Sequence, residues 1–269
     1  MILRNELSIF LKETFHYDHF QDFCQNGLQV EGKAQIETIA FGVSLHLPFI
    51  ERAIQFNADA IIVHHGFFGK DVFSLTGRRR EQIRLLLQHD ISVFGIHLPL
   101  DAHQQYGNNA ELLRYLGAEM LEPFDVGFFA RNTQEHSLTA MLDIFHHALH
   151  PAAYQPAASP APAPFLLAPT YRHGFLAYPN GPEIPKKLAV ISGSASREYR
   201  SNAIFERGVD TFVCGSVDES AAAVSYETRT NFINLGHYWS EKPGILALKA
   251  EIERSFDVRP LFIEIENVV

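Results

Sequence analysis

Three apolar segments of this chain have the composition of buried β-strands, and each ends on side chains that bind metal ions. The segments are 58–63, 92–96 and 231–235, and the residues that follow them are His64 with His65, His97 with Asp101, and His237 with Glu241. In open α/β sheets ligands bind beyond the carboxyl ends of the strands, so we expect these six side chains to converge. Six groups exceed the four that usually close a structural zinc site, and two metal ions with open positions fit better.

The order of segments predicts an α/β fold. From residue 5 to residue 117 helical and strand patterns alternate, which is typical of βαβ units and a mainly parallel sheet. We predict helices at 5–15, 47–57, 77–89 and 108–116, and strands at 36–44, 59–63 and 91–96. These strands are almost wholly apolar, as expected of strands covered on both faces.

The alternation breaks after residue 117. We predict a helix at 135–150, an exposed Ala/Pro-rich connector at 151–164, strands at 165–168, 174–178, 187–191, 211–214, 231–235 and 260–265, and helices at 197–207, 218–228 and 243–255. A weak internal repeat relates 53–63 to 203–213, which suggests two related α/β lobes with mainly parallel sheets.

We therefore assign residues 1–123 plus 230–269 to a metal-binding lobe and 124–229 to a second lobe that contains the connector. The metal site is expected at the carboxyl ends of strands, in the crevice between the lobes.

Turn chemistry supports a site at these strand ends. Neighbouring strand residues point to opposite faces, so His64 and His65 can share a site only if the backbone turns; Gly66 supplies that freedom. Pro99 is predicted to keep the segment from His97 to Asp101 out of a helix, and Pro243 suits the first turn of the next helix.

The composition argues against nucleic-acid-binding, membrane-spanning and secreted proteins. The net charge of -9 argues against a nucleic-acid-binding surface. Two distant cysteines, Cys24 and Cys214, without CxxC spacing, favour a reducing cytoplasm. No apolar stretch is long enough to span a membrane, and the first fifteen residues have the pattern of a helix rather than of a signal peptide.

The remaining histidines and one small-residue turn are weaker candidates for functional groups. A lone histidine is more often a hydrogen-bonded core residue than a ligand. His146, His147 and His150 share one predicted helix without a carboxylate between them and are expected to form a polar face. His103, two residues after Asp101, is a candidate for moving protons. The turn 192–196 is either a phosphate-binding loop or a serine-capped βα turn, and we favour the second.

Five segments together resemble the Nif-three-like family: NGLQVEGK at 26–33, ADAIIVHHGFF at 58–68, HLPLDAHQQYGNNAELL at 97–113, GVDTFVCGSV at 208–217 and LGHYWSEKPGI at 235–245. Its members are described as dinuclear metal-centre hexameric proteins and are often named GTP cyclohydrolase 1 type 2. The resemblance implies a toroidal homohexamer of two-lobed subunits and two divalent metal ions per subunit, whose ligands are His64, His65, His97, Asp101, His237 and Glu241. Zn, Fe, Mn, Co and Ni all suit this donor set. The family's Thr-Gly-Glu after a second-lobe strand is replaced here by Cys214-Gly215-Ser216.

Two functional hypotheses follow. The first is a metal-dependent hydrolase acting on a small nucleotide-like or heterocyclic substrate, because paired metal ions activate water and stabilise the developing oxyanion. The alternative is a non-enzymatic ring that binds, handles or senses metal, or serves as a scaffold. The altered second-lobe residues favour this alternative. A DNA-binding role conflicts with the acidic composition.

Overall fold

The computed structural model describes residues 1–69, 74–150, 169–265 and 267. In these ranges the helices are α1 Arg4–Phe15, α2 Leu47–Gln55, α3 Gly77–Gln88, α4 Leu98–Ala102, α5 Asn108–Tyr115, α6 Leu138–Leu149, α7 Asn202–Glu206, α8 Ser220–Thr228, α9 His237–Ser240 and α10 Lys242–Ser255. The strands are β1 Ile2–Leu3, β2 Gly27–Val30, β3 Gln35–Ile36, β4 Thr38–Ser44, β5 Ala60–His65, β6 Ser92–Gly95, β7 Glu119–Phe124, β8 Gly127–Arg131, β9 Thr170–Arg172, β10 Phe175–Pro179, β11 Lys187–Ile191, β12 Thr211–Cys214, β13 Asn231–Asn234 and β14 Arg259–Phe262. The predicted connector 151–164 and the predicted strand 165–168 lie outside the described residues.

The first compact unit comprises Met1–Gly107 and Gly244–Asn267. Its sheet has the order β14-β4-β5-β6-β2, with β14, β4, β5 and β6 parallel and β2 antiparallel to β6. Successive residues of β4 and β5 enter different apolar clusters: Ile39 and Ile62 pack with α1 and α10, whereas Ala40 and Ile61 pack with α2 and α3. Burial of both faces accounts for the nearly continuous apolar sequence of these strands.

The second compact unit comprises Asn108–Pro243. Its sheet has the order β7-β8-β11-β12-β13-β10-β9. The central strands β11, β12 and β13 are parallel, and the strands on both sides are antiparallel. Tyr199 is fully buried in this unit's core, where its hydroxyl lies 2.5 Å from Thr230 Oγ1.

The predicted α/β class is confirmed, but the second sheet is mixed rather than mainly parallel. The missed strands include β7, whose residues are mostly exposed and therefore lack the apolar alternation that marks a strand. The predicted helix 197–207 is divided into a 3₁₀ turn, Glu198–Arg200, and the short helix α7.

The compact units end after Gly107 and Pro243, whereas the sequence placed the boundaries after residues 123 and 229. The physical reason is strand pairing. The strand β13 pairs with β12 and β10, so the chain on either side of it belongs to the second unit. Among the described residues, no helix is both long and apolar enough to cross a membrane.

Candidate metal centre

Three histidines converge at the carboxyl ends of β5 and β6 in the first unit. One ring nitrogen from each of His64, His65 and His97 lies within 4.8 Å of the others. The ring centroids are 4.6 Å apart for His64 and His65, and 5.1 Å apart for His64 and His97. His64 is fully buried, while His65 and His97 are partly exposed. Parallel pairing places Val63 opposite Gly95, so the two strands end at the same level and present their histidines together.

Gly66, directly after the two β5 histidines, is required for space rather than for an unusual backbone angle. Its φ is not positive, and the freedom that the sequence assigned to this glycine is used for a close approach. A Cβ atom at Gly66 would collide with the side chain of Gln29. Gln29 holds Phe67 from both sides, accepting its N–H at 2.7 Å and donating to its carbonyl oxygen at 2.9 Å. The glycine therefore lets Gln29 fix the chain as it leaves β5.

Each of the three histidines uses Nδ1 for a partner within the protein. Nδ1 lies 2.9 Å from the Ile96 carbonyl oxygen in His64, 3.0 Å from Ser44 Oγ in His65 and 2.7 Å from an Asp22 carboxylate oxygen in His97. A hydrogen bond at one ring nitrogen orients the imidazole, and a carbonyl or carboxylate acceptor also fixes the proton on that nitrogen. This pattern is typical of metal-ligating histidines, in which the other nitrogen binds the ion.

Asp22 is a residue that the sequence did not identify as part of the site. Its side chain is 2% exposed. Besides His97 it accepts the N–H of Leu98 at 3.0 Å, and neighbouring Asn26 accepts the N–H of His97 at 2.8 Å. Burial opposes ionisation, but hydrogen bonds from His97 and Asn26 outweigh it and lower the pKa of Asp22 to about 2. The Asp22 carboxylate is therefore ionised at neutral pH.

Asp101 approaches the histidines from α4. Its carboxylate is 3.5 Å from His64 Nε2, and the residue is 4% exposed. The expectation that Pro99 prevents a helix here is wrong, because Pro99 lies in the first turn of α4. Proline is accepted there, since the first N–H groups of a helix have no partner within the helix.

His237 and Glu241 form the second group of predicted ligands, in the second unit. The short helix α9 begins at His237, after Gly236 with a φ of 84°. His237 Nε2 lies 3.0 Å from a carboxylate oxygen of Glu241, and Glu241 is 3% exposed. The sequence assigned all six predicted ligands to one lobe, 1–123 plus 230–269, whereas the compact units place four of them in the first unit and these two in the second.

The turn 192–196 seats this helix instead of presenting a phosphate site. The N–H of Ser192 donates to Asn109 Oδ1 at 2.6 Å, and that of Gly193 to Ser240 Oγ at 2.9 Å. The N–H of Ser196 donates to Ser216 Oγ at 3.3 Å. A Cβ atom at Gly193 would collide with Glu241. The turn's N–H groups are thus largely used inside the protein, and its glycine makes room for a predicted ligand.

The remaining histidines have other surroundings. His103 Nδ1 accepts the N–H of Tyr106 at 2.9 Å, and the two rings are stacked with centroids 5.2 Å apart. Burial lowers the pKa of His103. Its proton-transfer role stays a prediction. The expected polar face on α6 is only partly found: His147 is exposed, but His150 is buried.

The donor set of the candidate centre is imidazole nitrogen with buried carboxylate oxygen. This combination suits divalent first-row transition ions and lacks the thiolates that select for softer metals. Both free cysteines are buried, and burial raises the pKa of each thiol to about 12. The described residues therefore provide a group able to hold a divalent ion in the first unit.

A family model described as Duf34/NIF3 (NGG1p interacting factor 3) matches residues 2–268. The chain belongs to this family. The resemblance inferred from the motifs is thereby confirmed. Among the Duf34/NIF3 relatives, the GTP cyclohydrolase 1 type 2 homolog of Pyrococcus horikoshii is 31% identical, with 97% of each chain covered. The homolog of the same name from Escherichia coli K12 is 32% identical, covering 97% of this chain and 98% of the relative.

Solved structures are similar to this protein over the whole chain. The structural genomics protein ybgI, described as of unknown function, has a TM-score of 0.85 at 29% identity, with both chains fully covered. The crystal structure of TTHA1606 from Thermus thermophilus has a TM-score of 0.82 at 27% identity, covering 99% of each chain.

Proposed function

We propose that this protein is a metal-dependent hydrolase acting on a small nucleotide-like or heterocyclic substrate. Two divalent ions are held by His64, His65, His97, Asp101, His237 and Glu241. The observation that carries the proposal is the group of three histidines with ring nitrogens within 4.8 Å, each with Nδ1 engaged by a protein partner. The reaction class comes from relatives named GTP cyclohydrolase 1 type 2 homolog.

When bound, divalent ions supply Lewis acidity and a water molecule of lowered pKa, which is the chemistry that hydrolysis of a heterocycle needs. The residues of the chain provide the frame. The Ile96 carbonyl and the Asp22 carboxylate hold two imidazoles in the form that presents Nε2 as a lone-pair donor. Two buried carboxylates, Asp101 and Glu241, add negative charge that offsets the charge of the cations.

Phe68 shields one side of the histidine group. Its ring meets His97 edge to face, with centroids 5.4 Å apart and an interplanar angle of 84°. An apolar ring at this position excludes water from part of the site, and electrostatic interactions strengthen where water is excluded.

The alternative is a non-enzymatic protein that binds, handles or senses metal. The replacement of the family's Thr-Gly-Glu by Cys214-Gly215-Ser216 favours it, because these residues lie at the carboxyl end of β12 in the unit that carries His237. In either case we propose a homo-oligomer, a hexameric ring by family resemblance, which size-exclusion chromatography with light scattering tests directly.

The decisive experiment measures metal content and turnover on the same samples. Protein reconstituted separately with Zn, Mn, Fe, Co or Ni is analysed by elemental mass spectrometry and incubated with GTP, guanosine and related purines, with products followed by chromatography. We expect His65→Ala to lose metal and turnover together. His89→Ala is the matched control, because His89 is exposed at the end of α3. Turnover equal in wild type and His65→Ala refutes the hydrolase. Tightly bound metal without turnover of any tested substrate supports the alternative.

A further inference from the structure

A cavity of about 380 Å³ lies wholly within the second unit, beside the predicted ligand His237. Its volume falls in the range of small-molecule sites, roughly 300–1,000 Å³. It opens where β12 and β13 end: Cys214 and Asn234 are register partners, and the cavity is lined by the residues that follow them. The carboxyl ends of parallel strands are the usual position of ligand sites in α/β sheets.

Aromatic rings form one wall of the cavity. His150 lies between two rings, with centroids 5.0 Å from Phe175 and 4.2 Å from Trp239. Phe175 and Trp239 are 2% and 3% exposed, so packing fixes this wall in place. Burial, His146 and Lys242 together lower the pKa of His150 to about 4, which leaves its ring neutral at pH 7. A rigid, uncharged aromatic wall favours a flat ring as ligand.

The described lining of the cavity offers no lysine or arginine side chain to a phosphate. Among the described residues that line it, none is a lysine, arginine, aspartate or glutamate. The nearby Lys242 lies over the ring of Trp239, 4.9 Å from its centroid. A buried phosphate requires cations or convergent N–H groups, because an unpaired buried charge is strongly unfavourable.

Three of the backbone N–H groups around the cavity are already bonded within the protein. Gly215 donates to the Gly193 carbonyl at 2.9 Å, Leu235 to the Cys214 carbonyl at 2.8 Å, and Gly236 to Asn234 Oδ1 at 2.9 Å. The NH₂ group of Asn234 has no acceptor among the described residues, and the cavity is also lined by Ser216, whose hydroxyl accepts the Ser196 N–H at 3.3 Å. Neutral amide and hydroxyl groups pair well with ring nitrogens and exocyclic oxygens.

We propose that this cavity binds an uncharged, planar nitrogen heterocycle, such as a purine base or nucleoside, and does not recognise a phosphate group. The inference deepens the proposed function and rests on it for the reaction, since His237 would bring the ring next to the metal. The substrate class proposed for the site is therefore a free base or nucleoside rather than a nucleoside triphosphate.

Trp239 is the only tryptophan of the chain and lines this cavity, so all of the tryptophan fluorescence comes from the cavity wall. The full-length protein, freed of metal by a chelator, is titrated with guanine, adenine, hypoxanthine, a pterin, guanosine and GTP. Excitation at the red edge of the indole band limits absorption by the ligands. We expect saturable quenching by at least one uncharged heterocycle, and no tighter binding of GTP than of guanosine.

Val217→Phe is designed to fill the cavity, because Val217 lines it and is 40% exposed, so that no core packing is lost. We expect it to weaken the quenching by at least about tenfold. Ile184→Phe is the matched control, since Ile184 is 47% exposed and does not line this cavity.

Three results overturn the proposal: quenching by none of the compounds, GTP binding at least about tenfold tighter than guanosine, or unchanged quenching in Val217→Phe. Failure of the proposed function is distinguishable. Heterocycle binding without metal-dependent turnover refutes the hydrolase and supports the binding site in the cavity. Metal-dependent turnover without quenching supports the hydrolase and refutes the binding site in the cavity.

Discussion

Replacing Asp22 by asparagine tests how His97 is held. The two carboxylate oxygens accept four hydrogen bonds. Oδ1 accepts from His97 Nδ1 at 2.7 Å and from the N–H of Cys24 at 3.0 Å. Oδ2 accepts from Asn26 Nδ2 and from the N–H of Leu98, both at 3.0 Å. All four donors converge on a side chain that is 2% exposed.

Asparagine has the same shape but only one acceptor oxygen. In either amide orientation its NH₂ group faces two of the four donors, so two hydrogen bonds are lost at a buried position. At about 1–3 kcal/mol for each buried group left unsatisfied, with partial relaxation, the free energy of unfolding should fall by about 2–4 kcal/mol. Because His97 loses its charged partner or its neighbouring backbone anchor, metal affinity should fall by about 10–100-fold.

The assay pairs urea denaturation with competition for metal against a chromophoric chelator. Asp59→Asn is the matched control: Asp59 is a second buried carboxylate of the same unit, and it accepts from Lys33 Nζ at 2.6 Å and from the N–H groups of Glu37 and Thr38 at 3.0 and 3.1 Å. It should destabilise the protein without changing metal affinity. Unchanged affinity in Asp22→Asn, or an equal loss in Asp59→Asn, would show that Asp22 does not act through His97.

Two further predictions concern other parts of the structure. Gly193→Ala and Gly208→Ala both place a side chain at positive φ, 66° and 70°, so each variant should lose about 1–2 kcal/mol of stability. Only the new side chain at Gly193 collides with Glu241, so metal affinity measured by chelator competition should fall in Gly193→Ala alone. Equal affinities in the two variants would contradict the assignment of Glu241 as a ligand. The hydrogen bond from Arg172, against an opposing effect of burial, lowers the pKa of Asp143 from 3.8 to about 2. This depressed pKa stabilises the fold above pH 3.8, and the contribution is lost as the pH falls towards 2. Asp143→Asn should therefore lower the free energy of unfolding at pH 7, measured by urea denaturation, by less than about 1 kcal/mol. The difference from wild type should narrow below pH 3.8, and a difference that widens in acid would contradict the ion pair.

Local pattern was sufficient for the first unit's central strands and helices. The strands β4, β5 and β6 are apolar because helices cover both faces, and this signal is present in any window of the sequence. The exposed strand β7 has no such signal, because its pairing with β8 depends on backbone hydrogen bonds rather than on buried side chains. The prediction that Pro99 excludes a helix was wrong, because proline is compatible with the first turn of a helix. The sequence alone does not show where that helix begins.

The candidate centre shows the same division. The ligand-type residues were visible in the sequence, because each follows a strand end and belongs to a short motif. Asp22 was not visible: it lies 75 residues from His97 along the chain, and an aspartate in a loop carries no mark of the partner that folding brings to it. Gly193 was seen as part of a small-residue turn, but only its contact with Glu241 explains why it is glycine.

By itself the sequence determined the α/β class, the family and the residues that end each strand, because these depend on local composition, periodicity and motif. The tertiary structure decided what holds those residues. It assigned His237 and Glu241 to the second unit through the pairing of β13, gave each histidine of the first unit a partner at Nδ1, and enclosed a neutral cavity beside His237. These features depend on contacts between residues distant in sequence, and such contacts exist only once the chain has folded.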